Sequence, residues 1–153
     1  MMDTDEKRTA AHEAAVREIY VAFGSGDEAG FLSHIADDVH WETDWEDNWA
    51  QHADGPPHFI PIEAKSGVPT FFEIMSGYTF HDLQLVDVIP GPEKVVAQVK
   101  LDYTLPSGGR YRDEQLHLWT FGPEGTVIAL RHFMDTAKLL AANRGEDTTA
   151  TSR

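Results

Sequence analysis

The alternation of apolar and polar residues is clearest near the end of the chain, between Gln115 and Ala142. Gln115–Phe121 is rich in aromatic residues and has a period of two, which predicts a strand. An apolar run after the turn at Pro123–Gly125 predicts an antiparallel partner strand, closed by a short helix. One face of the first strand carries Gln115, His117, Trp119 and Phe121, and one face of the second carries Ile128, Leu130, His132 and Met134. Each strand therefore brings a histidine into an otherwise largely apolar layer.

Three helices are predicted in the first half of the chain. Apolar residues at helical spacing, preceded by a capping residue at Asp3, predict an amphipathic helix over Asp5–Phe23. Asp27 is placed to cap a short second helix directly after Gly24–Gly26, so these two helices should pack as a hairpin. Ser66 is placed to cap a third helix.

A further strand is predicted over Val39–Asp44. Its alternation puts Val39, Trp41 and Thr43 on one face and His40, Glu42 and Asp44 on the other. We interpret the second face as a solvated acidic edge. A metal site is the alternative, because carboxylates and imidazoles of this face could combine with His52, Asp54 and His58 of the following loop. No compact ligand motif is present, and we expect no metal.

The stretch Trp45–Lys65 has neither a helical nor a strand period and contains several prolines, which predicts a long loop. Its large apolar residues would be costly to leave in water unless they cover something. A lid over a pocket mouth, a dimer-facing arm and a disordered segment are the three interpretations that the sequence leaves open.

Three long strands follow the third helix, separated by Pro- and Gly-rich turns. They are predicted over Thr79–Ile89, Lys94–Leu105 and Arg110–Phe121. Asp135 or Thr136 caps the last helix. The pattern predicts one α+β domain over residues 1–144, with a single strongly curved sheet wrapped over the helices, and a disordered polar tail over 145–153.

Several segments resemble the SnoaL-like group of the nuclear transport factor 2-like superfamily. The resemblance rests on Phe23–Asp27, on Ile35–Trp41 and on Arg131–Ala137 at the end of the last strand. It implies a cone-shaped half barrel of antiparallel strands around an apolar pocket, with a homodimer formed through the outer face of the sheet. Such folds carry isomerases, cyclases, hydrolases, dehydratases and noncatalytic modules, so the resemblance does not choose a reaction.

His132 is the first candidate for catalysis. Thr126–Asp135 resembles the closing strand of limonene epoxide hydrolases, and His132 falls where those enzymes carry a catalytic aspartate. Because the ordinary pKa of histidine is about 6.5, the side chain could serve as base or acid at neutral pH. A hydrogen-bonded core histidine is the alternative interpretation.

His117 is the second candidate. The chain around Phe121 resembles ketosteroid isomerases, and His117 falls where they carry an aspartic acid that donates a hydrogen bond to the substrate oxyanion. A neutral histidine, helped by Gln115 on the same face, could make that donation without burying a charge. The isomerases' oxyanion tyrosine falls at Ile19, next to Tyr20, and their general-base aspartate falls at Thr43, between Glu42 and Asp44. A core histidine is again the alternative.

We therefore predict His132 as the proton-transfer group and His117 as the hydrogen-bond donor to a substrate oxygen. The residues expected to bind the substrate are large, inward-facing side chains from several elements. They are Tyr20, Trp41, Phe72, Gln115, Trp119 and Leu130.

Composition narrows the classes of partner. The formal net charge of −14 would repel nucleic acids and anionic membranes. The absence of cysteine excludes disulfides and thiol chemistry. No signal-peptide core or membrane-spanning run is evident, which favours a cytoplasmic location. We expect no cofactor and a small apolar ligand.

Three functions from different classes fit these patterns. The first is a cofactor-independent acid–base enzyme, of the isomerase, cyclase or dehydratase type, acting on an apolar carbonyl compound. The second is a noncatalytic pocket for such a ligand, and the third is a dimeric interaction module. Two inward-facing histidines favour the first two, and the sequence does not separate these from each other.

Overall fold

Capping side chains set the N-terminal helices in the computed structural model, which describes residues 3–43, 45–46 and 55–150. Helix α1, Thr4–Ser25, begins where the carboxylate of Asp3 accepts from the backbone N–H of Glu6 at 2.8 Å. It ends at Gly26, whose φ of 72° is the left-handed conformation that glycine tolerates best. Asp27 caps α2, Glu28–Leu32, so both predicted caps are confirmed.

Helix α3, Val68–Met75, follows a 3-10 turn over Lys65–Gly67. Pro69 lies in its first turn, where a missing backbone N–H costs the helix no hydrogen bond. The prediction of Ser66 as the capping residue is wrong, because Ser66 lies inside the 3-10 turn. The N-cap position is Gly67, which makes no side-chain hydrogen bond to the helix.

Five strands form one open, curled sheet. Strand β1 is Ile35–Trp41, β2 is Thr79–Ile89, β3 is Lys94–Thr104, β4 is Arg110–Phe121 and β5 is Val127–Phe133. Their order in the sheet is β1-β5-β4-β3-β2. Helix α4, Thr136–Asn143, closes the fold after a cap at Asp135. The predicted α+β architecture is confirmed.

The sequence resemblance implied a wholly antiparallel sheet, but the sheet is mixed. Strands β2 to β5 pair antiparallel in chain order, whereas β1 pairs parallel with β5. In the β4–β5 register, His117 lies directly opposite His132. Side chains directly opposite each other on one face of an antiparallel pair are close enough to touch, so the two candidate histidines are neighbours on the inner face.

Strand β1 ends three residues earlier than predicted. The backbone N–H and C=O of Trp41 pair with Ile62 at 2.7 and 2.9 Å, and the next residue, Glu42, has a φ of 59°. A positive φ is uncommon outside glycine, and it breaks the alternation on which the predicted facing of Glu42 depended. Glu42 is therefore not part of a solvated edge: its exposed fraction is 0%.

Apolar residues pack between the inner face of the sheet and the helices. The inward set of β3 is buried as its alternation predicts: Val95, Ala97, Val99, Leu101 and Tyr103. In the part of the chain that the structure describes, no helix is both long enough and apolar enough to cross a bilayer. Residues 146–148, in the segment predicted as a tail, hydrogen-bond to the backbone of Arg110 at the start of β4.

The outer face of the sheet exposes two large apolar neighbours. Leu116 and Phe133 pair across β4 and β5 and are 47% and 45% exposed. We expect a homodimer through this face, measured as a dimeric mass by light scattering at micromolar concentration. Phe133→Glu should shift the mass to a monomer because it places a charge in the contact, whereas Val21→Glu, on the exposed side of α1, should not. A monomeric mass for the unmodified chain would contradict this prediction.

Candidate functional site

A cavity of about 70 Å³ lies between the inner face of β3–β5 and helices α1 and α3. Most of its wall is aromatic or aliphatic, including Phe31, Trp41, Phe71 and Tyr103. The polar side chains that reach it are Tyr20, His58, Gln115, His117, Trp119 and His132. A few polar groups in an apolar wall are typical of a small-molecule site.

His132 is held by a buried carboxylate. Its Nδ1 lies 2.7 Å from Oε1 of Glu42, and its backbone N–H donates to the same oxygen at 2.5 Å. The imidazole retains limited exposure and lines the cavity, while the Glu42 side chain is fully buried. Since a carboxylate accepts hydrogen bonds, Nδ1 carries the hydrogen, and in the neutral ring Nε2 is the basic nitrogen.

The backbone of Glu42 explains why its side chain reaches His132. The N–H of Glu42 still bonds to the C=O of Leu130 at 3.0 Å, as in a parallel ladder. In a continued ladder, the next bond would run from the N–H of His132 to the backbone C=O of Glu42. Here the side-chain carboxylate of Glu42 accepts the hydrogen bond from that N–H instead, because the backbone turns at Glu42 with a φ of 59°. Strained backbone of this kind is found at functional sites, which makes Glu42 a candidate functional residue.

His117 occupies the centre of a hydrogen-bonded chain. Its Nδ1 contacts the hydroxyl of Tyr20, which also accepts from Nε1 of Trp119 at 3.1 Å. Its Nε2 lies 2.8 Å from Oε1 of Gln115. The amide nitrogen of Gln115 donates to Tyr111 at 3.0 Å. Both ring nitrogens of His117 are thus engaged by uncharged protein groups.

The two ends of this chain fix its direction. The indole N–H of Trp119 can only donate, and at the other end the carboxylate of Asp113 accepts from the Tyr111 hydroxyl at 2.7 Å. Gln115 must then accept from Nε2–H of His117, and Nδ1 of His117 must accept from Tyr20. His117 is therefore the Nε2–H tautomer, opposite to His132.

Burial keeps His117 and Tyr20 neutral. Desolvation, followed by the effect of a positive charge on His132, holds the pKa of His117 well below its ordinary value. Burial of its hydroxyl raises the pKa of Tyr20, although part of the ring remains exposed. The rings of His117 and His132 are 4.4 Å apart, so a positive charge on His132 disfavours a second one on His117.

His58 is a third cavity histidine. It is buried, its Nδ1 lies 2.6 Å from the hydroxyl of Tyr78, and its ring packs on Phe59 and Tyr103. Desolvation, with a smaller effect of charge on His132, lowers the pKa of His58 to about 3. His58, from the Trp45–Lys65 stretch, therefore forms part of the cavity wall. Residues 47–54 of that stretch lie outside the described residues, and the lid over Trp45–Pro61 stays a prediction.

The structure brings most of the predicted site together. His117 and His132 meet at the cavity, and so do five of the six predicted binding residues. Those five are Tyr20, Trp41, Gln115, Trp119 and Leu130. Phe72 does not line this cavity; it packs on Phe23 and Phe31 and faces an adjoining groove.

The residues of the metal alternative are dispersed where they are described. His40 is exposed beside Thr43, Glu42 is buried against His132, and His58 is buried against Tyr78. Asp44, His52 and Asp54 lie outside the described residues. Among those that are described, no three His, Asp or Glu side chains are grouped to hold a metal ion.

Sequence reasoning considered two members of the site as possible metal ligands, not as catalytic or binding residues. Glu42 was assigned to the wrong side of its strand because alternation fails where φ becomes positive. His58 lies in an aperiodic stretch, so no pattern indicated its burial. The sequence signal for Glu42 was its place beside Thr43, where the resemblance puts the isomerases' general base. His58 had no signal beyond being an ionisable residue next to apolar neighbours.

Comparison with solved structures identifies the fold. An NTF2-like protein from Burkholderia xenovorans LB400 matches 88% of this chain and 97% of its own length, with a TM-score of 0.70 and 18% identity. A Δ5-3-ketosteroid isomerase from Mycobacterium sp. matches 84% and 95%, with a TM-score of 0.64 and 18% identity. A candidate polyketide cyclase from Xanthomonas campestris pv. campestris matches 89% and 98%, with a TM-score of 0.66 and 16% identity.

These similarities agree with the resemblance found in the sequence: the chain has the NTF2-like fold. No protein-family model matches the sequence, and no curated protein matches it. At such low sequence identity, structural similarity establishes the fold but not the reaction.

Proposed function

We propose that the protein is an acid–base enzyme that removes a proton next to the carbonyl group of a small, mostly apolar compound. The observation that carries the proposal is the pair formed by Glu42 and His132 at the wall of an apolar cavity. A buried carboxylate that fixes one imidazole nitrogen, with the ring at a cavity, is the arrangement that a general base requires. Isomerisation, cyclisation and dehydration of carbonyl compounds can all begin with this step.

In the proposed step, Nε2 of His132 takes the proton. The electron pair of the broken C–H bond forms the carbon–carbon double bond of an enolate, and the carbonyl π electrons move to oxygen. His132 becomes an imidazolium, and the Glu42 carboxylate stabilises it through Nδ1–H. Returning the proton to another carbon would complete an isomerisation.

The enolate oxygen needs a neutral donor, and Tyr20 is the best placed. Its hydroxyl lies in the cavity wall and is oriented by Trp119 and His117. Its hydroxyl donates to His117, and a substrate oxygen can compete for that hydrogen by rotation about the C–O bond. We propose that His117 supports this donor, and that direct donation by His117 would require its bond to Gln115 to break.

Noncatalytic binding is the second candidate function. The observation that favours it is that both ring nitrogens of His117 are hydrogen-bonded within the protein. A buried polar side chain in the wall of a noncatalytic pocket needs such partners as well. In that case, ligands would bind without any proton being transferred.

Isotope exchange separates the two functions. The protein would be incubated with methyl ethyl ketone in deuterium oxide at neutral pH, and loss of the protons next to the carbonyl would be followed by proton NMR. Exchange faster than in buffer, and saturable in ketone, supports the enzyme. Saturable binding seen by calorimetry without faster exchange would contradict proton transfer and support the binding function.

Replacing Tyr20 with phenylalanine is expected to slow this exchange by about a hundred- to a thousandfold, because it removes the oxyanion donor. Binding of the ketone should change much less, since the ring is retained. The rate and the dissociation constant would be measured on the same sample. An unchanged rate would show that another group, such as Nε2–H of His117, donates to the oxygen.

A further inference from the structure

A second hollow adjoins the cavity. It is an open groove of about 1330 Å³ between α1, α3 and β2. The two hollows share Tyr20, Phe23, Met75, Phe80 and Leu83 in their walls. Tyr20, whose hydroxyl is the proposed donor, therefore lines both hollows.

The cavity alone is too small for most ligands. Its volume of about 70 Å³ is about half of the roughly 150 Å³ that holds a benzene molecule in an engineered protein cavity. Pockets for drug-sized molecules have about 300 to 1,000 Å³. The cavity can hold a carbonyl group with a few attached atoms, and any larger part of a ligand must lie elsewhere.

The groove has the chemistry to take that larger part. Its floor includes Phe72, Leu83 and Leu85, and Val21 on its rim is 72% exposed. Isolated exposed apolar residues are ordinary, but a groove with several large apolar side chains beside a cavity is typical of a binding surface.

The charges on the groove select against anions. Glu28, Glu73 and Asp82 line it, together with His81, which bonds to Thr104, and one cation, Arg17. The guanidinium of Arg17 is already paired with Glu13 at 3.1 Å. Carboxylates at the rim repel a carboxylate or phosphate on the ligand, as does the net charge of −14.

We propose that the substrate is an elongated, uncharged molecule with a carbonyl group at one end. The carbonyl end enters the cavity beside Tyr20 and His132, and an apolar body lies in the groove. This inference rests on the proposed function for the identity of the carbonyl end, whereas the position of the body rests on the groove itself.

Binding of a homologous series tests the position of the body. The probes are methyl ketones with unbranched second chains, from methyl ethyl ketone to methyl octyl ketone, and binding is measured by calorimetry and by tryptophan fluorescence, to which Trp41 and Trp119 in the cavity wall contribute. Affinity is expected to rise by about fourfold for each methylene that the groove buries. Affinity that does not change with chain length would overturn the proposal.

Two matched variants locate the effect. Val21→Glu is expected to weaken methyl octyl ketone by about tenfold and leave methyl ethyl ketone unchanged, because it removes apolar area only from the groove. Ile89→Glu is the control: Ile89 is 58% exposed at the end of β2 and does not line the groove. Equal effects of both variants, with both folds intact by circular dichroism, would overturn the proposal.

A third comparison tests the charge preference. A long keto acid with a methyl ketone at one end and a carboxylate at the other is expected to bind at least about tenfold more weakly than its methyl ester. Equal or tighter binding of the acid would overturn the preference for an uncharged ligand. Binding is measured without turnover, so the two proposals can fail separately. Affinity that depends on chain length, without isotope exchange, would refute the proposed enzyme and support binding in the groove. Isotope exchange with affinity that does not depend on chain length would support the enzyme and refute binding in the groove.

Discussion

Replacing His132 with alanine is expected to slow deuterium exchange into methyl ethyl ketone by about a hundred- to ten-thousandfold, the usual effect of losing a positioned base. The reason is geometric: His132 is the cavity histidine whose Nδ1 lies 2.7 Å from a carboxylate. The imidazolium formed by proton abstraction is stabilised there. The partners of His117, Tyr20 and Gln115, carry no charge.

Glu42→Gln is the companion variant. It keeps an oxygen acceptor for the backbone N–H of His132 but removes the charge that stabilises the imidazolium and fixes the ring. We expect a loss of about a hundredfold or more in exchange rate, with the fold retained. His40→Ala is the control, because His40 is exposed on the outside of β1 and bonds only weakly to Thr43, at 3.3 Å. A normal rate for a folded His132→Ala protein would assign proton transfer to another group.

Acid is expected to destabilise the fold well above the pH at which carboxylates titrate. His58 and His117 are buried and neutral, and desolvation lowers the pKa of both. In the unfolded chain each titrates near 6.5, so below that pH the unfolded state binds more protons and stability falls as the pH falls. The contribution is fully present above about pH 6.5 and declines until the folded-state pKa, about 3 for His58, is reached.

Between about pH 7.5 and about pH 5, the suppressed protonation of His58 should cost about 2 kcal/mol in the free energy of unfolding, and His117 should add to the loss in the same direction. Denaturant unfolding at several pH values measures this slope. His58→Gln should remove the part of the slope that His58 contributes, whereas His81→Gln should leave it unchanged because His81 is exposed on β2. A stability that does not vary over this range would show that the two histidines are hydrated in the folded protein.

Regular strands made the main part of the site predictable from sequence. Alternation along β4 and β5 is unbroken from Gln115 to Trp119 and from Leu130 to His132, so the inward facing of His117 and His132 followed from it. The fold followed from the same regularity, together with the turn residues between strands. The parallel pairing of β1 with β5 could not be predicted, because parallel strands are not joined by a short turn whose residues would indicate the pairing.

Glu42 and His58 show why the rest could not be predicted. The direction of the Glu42 side chain depends on one positive φ and on the pairing of Trp41 with Ile62, which lies in an aperiodic stretch. The burial of His58 depends on contacts with Tyr78 and Tyr103, which are distant in sequence. Tertiary contacts of this kind carry no local periodicity.

Nitrogen NMR of the histidine side chains tests most directly whether Glu42 holds His132 as a base. In protein labelled with the heavy nitrogen isotope, at neutral pH and without ligand, the chemical shifts of the ring nitrogens report which one carries the hydrogen. The arrangement described here predicts the Nδ1–H form for His132 and the Nε2–H form for His117, with the His132 signals alone changing strongly in Glu42→Gln. An Nε2–H form of His132 that Glu42→Gln leaves unaltered would contradict it.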